Sequence, residues 1–143
     1  MRQPRSFLLS TGFLLALLLD GSLSARAAES GYVVKPLSDE QAVEYKLDQS
    51  FYKKCTLVQQ ILIATSDKVS DYAHLETAYL FDQIMGSIDP QVAGRIREQQ
   101  VLCILVAHDE FTSEVPQFKS DKTGKELDFY NWRSRGFLTR KDN

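Results

Sequence analysis

Apolar positions gather in two short runs that bracket a longer stretch with helical spacing. Leu57 to Ala64 (LVQQILIA) is rich in apolar and β-branched residues and is stopped by Thr65-Ser66-Asp67, so it reads as one strand. Val101 to Ala107 (VLCILVA) is apolar without a break, the pattern of a strand covered on both faces. Between them Tyr72, Leu75, Ala78, Tyr79, Ile84 and Met85 recur at helical intervals, with Asp71, Glu76, Asp82 and Gln83 at polar positions. Ser70 is placed to cap this helix, and Gly86 to end it. Asp89 and Pro90 then open a second helix carrying Val92, Ala93 and Ile96, expected to finish near Gln99. Strand, two helices and strand predict a parallel pair joined by a helical crossover.

The flanking segments carry weaker patterns. Glu29 to Leu37 reads as an exposed lead-in, and Ser38 with Gln41 at the capping-box position starts a short helix through about Tyr45. His108 to Lys122 is a polar connection containing Pro116, and Glu126 to Arg135 a short helix followed by Gly136. The expected class is α/β, or α+β: a small sheet with a helical crossover, packed by three to four helices. Two strands leave Val101 to Ala107 with too few neighbours, so the sheet is expected to be incomplete. A further strand near Glu114 to Phe118, a protein partner, or a C-terminal half beyond this sequence would complete it.

The N-terminus has a different pattern. Arg2 and Arg5 precede the uncharged apolar run Phe7 to Leu19, and Ala25-Arg26-Ala27 has the small-residue spacing of a signal-peptidase site. The run is shorter than the roughly 20 residues of a membrane-spanning helix, and Asp20 and Gly21 end it. Cleavage before Ala28 divides the chain into a signal peptide (1–27), an exposed lead-in (28–44) and one domain (45–143), secreted or periplasmic, with no stable membrane anchor after cleavage. Losing Arg2, Arg5, Arg26 and Asp20 takes 17 basic and 19 acidic residues to 14 and 18, a formal charge of −4. An acidic domain disfavours nucleic acid and anionic lipid as partners. Export also permits a disulfide between Cys55 and Cys103, although Cys103, inside an apolar run, reads first as a buried thiol.

Catalytic patterns are sparse. His74-Leu75-Glu76-Thr77-Ala78 and His108-Asp109-Glu110-Phe111-Thr112 both lack the second His of a zinc-peptidase helix. No Gly-rich phosphate loop or nucleophile elbow occurs, so no catalytic residue, metal ligand or cofactor is assigned. His108, Asp109, Glu110 and Thr112 follow the end of a buried strand, where ligands of open α/β sheets bind, and form a candidate groove. Phe129, Tyr130 and Trp132 with Arg133 and Arg135 read first as an amphipathic helix whose aromatics pack and whose Arg side chains favour its negative end; alternatively Trp132, Arg133 and Arg135 form a candidate partner surface, because Trp, Tyr and Arg dominate binding hot spots.

Tyr45-Lys46-Leu47-Asp48 through Phe51-Tyr52-Lys53-Lys54, Ser66 to Ala73, His108 to Thr112, and Asp128 to Gly136 resemble the N-terminal part of secreted bacterial proteins related to zincin metallopeptidases of the anthrax-lethal-factor-like type. The resemblance spans about Tyr45 to Leu138. In such proteins a His-Glu-x-x-His helix follows this region, so the resemblance implies zinc only with a further C-terminal part, and here a truncated, non-catalytic piece. It places His108 to Phe118 beside a substrate groove. The alternative is an intact exported protein-binding module.

Overall fold

A computed structural model describes residues 31–141, and in it the two apolar runs lie side by side at the centre of a sheet. The first run is not one strand. It spans the end of one strand, a turn and most of the next in a hairpin, β2 (Lys54–Val58) and β3 (Ile61–Thr65), paired antiparallel with Val58 opposite Ile61. Gln59 and Gln60 make the two-residue turn with φ of 49° and 64°. Asn-Gly usually marks such a turn, so a Gln-Gln pair inside an apolar run gave no turn signal.

The second run supplies β4 (Val101–Leu105), parallel to β3 with Ile63 opposite Cys103. The expected crossover joins them through α2 (Asp71–Ser87) and α3 (Pro90–Glu98). Their starts follow from their caps: Ser70 Oγ accepts from Tyr72 N–H at 3.2 Å, and Asp89 Oδ1 accepts from Gln91 and Val92 N–H at 2.9 and 3.3 Å. Helix α1 (Asp39–Glu44) carries the anticipated capping box between Ser38 and Gln41.

Side chains alternate across the sheet and fill two layers. Leu62, Ala64, Leu102 and Ile104 pack with Ala42, Tyr45, Leu47, Tyr52 and Val115 on the α1 side. Ile61, Ile63 and Cys103 pack with Ala78, Met85 and Ala93 on the α2–α3 side. Part of the expected lead-in therefore belongs to the folded unit: Ala42 is buried, and β1 (Lys35–Pro36) pairs with β2. The signal segment, 1–27, lies outside the described residues.

The extra strand is present but not at Glu114 to Phe118. Thr112–Glu114 and Pro116–Phe118 are short 3₁₀ turns, with Phe118 N–H bonded back to Val115 O at 2.9 Å. Helix α4 (Gly124–Trp132) follows, and then β5 (Gly136–Arg140) pairs antiparallel with β4. Among the described residues the result is an α/β fold on an open, mixed five-stranded sheet ordered β1-β2-β3-β4-β5.

Candidate functional site

The residues after β4 form a buckle. Val106 N–H donates to Arg135 O at 2.9 Å, and Arg135 Nη1 donates to Ala107 O at 3.1 Å and to Glu110 O. Glu110 is buried and turns its Oε2 onto Ala107 N–H at 2.9 Å. Buried Thr112 donates to Ser134 O at 3.3 Å, and Ser113 N–H donates to Asn131 Oδ1 at 2.9 Å. Glu110, Thr112 and Arg135 are thus occupied in tying the loop to the α4–β5 connection. Only His108 and Asp109 of this cluster face solvent, with Asp109 3.5 Å from Lys68 Nζ across the ends of β3 and β4. An exposed pair of this kind contributes little stability.

The other histidine is fully occupied. His74 is buried in the first turn of α2, with Nδ1 3.1 Å from Thr56 Oγ1 and Nε2 2.7 Å from Thr65 Oγ1. Thr65 Oγ1 donates to Ser66 O at 2.8 Å, so it accepts from Nε2–H, and Nδ1 accepts from Thr56. Burial, with a smaller push from Lys54, lowers the His74 pKa to about 4 against the pull of Asp71. A neutral imidazole with both nitrogens engaged is poorly placed to serve as a general base.

A Cys55–Cys103 disulfide does not form in this fold. Both thiols are free and buried, Cys55 on the α1 side and Cys103 on the α2–α3 side, with β3 between their strands. Two strand spacings, roughly 9–10 Å, also exceed the reach of a bridge. Burial raises both thiol pKa values, that of Cys103 to about 12, which keeps them protonated and unreactive at neutral pH. Among the described residues no three His, Cys, Asp or Glu side chains are grouped to hold a metal ion, and no helix is long and apolar enough to cross a membrane.

Helix α4 presents a different surface. The expectation that the aromatics of this helix pack fails for two of them: Trp132 is 83% exposed and Phe129 68% exposed, because a nine-residue helix at the edge of the fold buries little of its surface. Beside them a groove of about 390 Å³ is lined by Lys122, Lys125, Glu126, Phe129, Tyr130 and Arg133. Tyr130 is anchored through its hydroxyl to Phe118 O at 2.9 Å, which fixes one wall. Of the residues anticipated as a partner surface, Trp132 is exposed on α4 and Arg133 lines this groove, while Arg135 belongs to the buckle. Lys122 and Lys125 were not anticipated. Lys125, Phe129 and Arg133 repeat every four residues, a spacing that puts them on one helix face and was readable.

No family model, curated protein or solved structure matches the chain.

Proposed function

We propose that the chain is an exported, non-catalytic protein-binding module that holds an acidic polypeptide on the surface of α4. One observation carries the reading: Phe129 stands in solvent in a groove it lines with Lys122, Lys125 and Arg133, and Trp132 is exposed on the same helix. Aromatics supply apolar contact area at low entropic loss, and flanking cations select carboxylates. Three basic residues against Glu126 make the groove locally positive on a chain whose formal charge is −2. The zincin-like resemblance assigns no zinc ligand to these residues, and the reading routes no chemistry through a metal. Export rests on the N-terminal pattern and is checked by fractionation with N-terminal sequencing, where a start at Ala28 is expected.

The binding test uses two fluorescent decapeptides, one alternating glutamate with leucine and the other lysine with leucine. The acidic peptide should bind and the basic one should not, with affinity falling as salt rises. Trp132→Ala should weaken binding by about 30-fold. Lys125→Glu with Arg133→Glu should abolish the preference for the acidic peptide. Equal binding of both peptides, or binding indifferent to Trp132→Ala, overturns the proposal.

A further inference from the structure

The two edges of the sheet are built differently. At one end β1 is two residues long and consists of Lys35 and Pro36, the short, charged and proline-bearing device that discourages pairing. At the other end β5 runs five residues without proline and, among the described residues, has β4 as its single neighbour. Its register reveals which backbone groups face outward. Val106 N–H donates to Arg135 O at 2.9 Å, in line with the pairs Leu105–Gly136 and Ile104–Phe137. Hydrogen-bonded pairs alternate along an antiparallel ladder, so Phe137 and Thr139 also bond inward to β4. The N–H and C=O groups of Gly136, Leu138 and Arg140 then point to the open edge.

The side chains on that strand select an occupant. Leu138 is 63% exposed and lines an apolar groove of about 530 Å³ together with Ile61, Phe81, Met85 and Ile96. We propose that a second copy of this chain adds its own β5 antiparallel across the edge, centred on Leu138. In that register Leu138 faces the second copy's Leu138, and Arg140 faces its Gly136, so all three outward residues of each strand bond. The one charge within the strand falls opposite a residue without a side chain; at the flanks Lys141 falls opposite the second copy's Arg135, and both are engaged within their own chain, Arg135 on Ala107 O and Glu110 O and Lys141 on Glu44 and Gln100. Centring on Arg140 would instead oppose two guanidinium groups. The sheet becomes continuous across the two-fold axis, and the paired leucines cover the mouth of both grooves.

Sedimentation of the purified protein over a concentration series tests this. A monomer–dimer equilibrium is expected, and Leu138→Lys, which sets two ammonium groups face to face at an exposed position, should weaken self-association by about tenfold or more. Its circular dichroism, and its unfolding midpoint at a dilution where both proteins are monomeric, should match those of the parent. Leu138→Cys should cross-link to a covalent dimer on mild oxidation, whereas Leu57→Cys, also exposed but on the hairpin, should not. A monomer at every concentration, or a dimer indifferent to Leu138→Lys, overturns the proposal; in the first case the edge is left to a different polypeptide. Leu138→Lys should leave the α4 peptide binding intact, and Trp132→Ala should leave the dimer intact, so the two proposals fail separately.

Discussion

His74 is buried with both ring nitrogens bonded to threonine hydroxyls, and burial holds its pKa at about 4. In the unfolded chain it titrates near 6.5. The folded state therefore binds the proton less readily, and stability from this group is complete above pH 6.5. It is lost as the pH falls toward 4, because the unfolded state gains the proton first. The loss amounts to roughly 3 kcal/mol over that window. Urea midpoints at pH 7, 5.5 and 4.5 should fall accordingly, ahead of the carboxylates. His74→Leu should be less stable at pH 7, with Thr56 left without its acceptor, yet should show a much shallower slope between pH 6.5 and 4. An unchanged slope would assign the pH dependence elsewhere. The sequence did not disclose this role, because the bonds come from Thr56 and Thr65, on two strands of a hairpin that the apolar pattern had merged into one.

That hairpin is held by a side chain rather than by turn propensity. Gln59 Nε2 donates to Asp82 Oδ1 on α2 at 2.6 Å, while its Oε1 accepts from Arg97 Nε and Nη2 on α3 at 3.1 and 2.7 Å. Both turn residues sit in the left-handed region, which disfavours any residue with a Cβ by about 1–2 kcal/mol. Gln59 offsets that strain with three hydrogen bonds; Gln60 is exposed and has no comparable compensation. The two positions should respond oppositely. Gln59→Ala should destabilise by about 1–2 kcal/mol, and Gln60→Gly should stabilise by about 0.5–1 kcal/mol, read from urea midpoints at constant slope. Destabilisation by both would show that backbone strain does not govern the turn. The helix starts were legible because their signals are local: Ser38, Ser70, and Asp89 with Pro90 each bond or shape the next few residues. The turn was not, because its justification lies on α2 and α3, 23 and 38 residues away.

Across the whole molecule, stability should grade from the sheet centre outward. Strand β3 is buried at all five positions and lies between β2 and β4, and the two apolar layers meet on its faces. Long apolar runs announced this centre in the sequence. Strand β5 was not announced, since Gly136–Arg140 alternates exposed and half-buried residues and has a single neighbour. The same weakness that hid it in the sequence should make it open first. Besides its ladder with β4, it is tied to the rest through Arg135, whose side chain bridges Ala107 O and Glu110 O while its backbone C=O receives Val106 N–H. Removing that guanidinium takes away charge-assisted hydrogen bonds, typically about 1.5–3 kcal/mol, without touching β2 or β3. Native-state hydrogen exchange should therefore find the slowest amides in β3 and β4. Arg135→Ala should speed exchange across residues 106–115 and β5 while the hairpin keeps its protection. If exchange instead rises uniformly, the buckle and the sheet centre open as one cooperative unit, and β5 is as firmly held as the strands the sequence revealed.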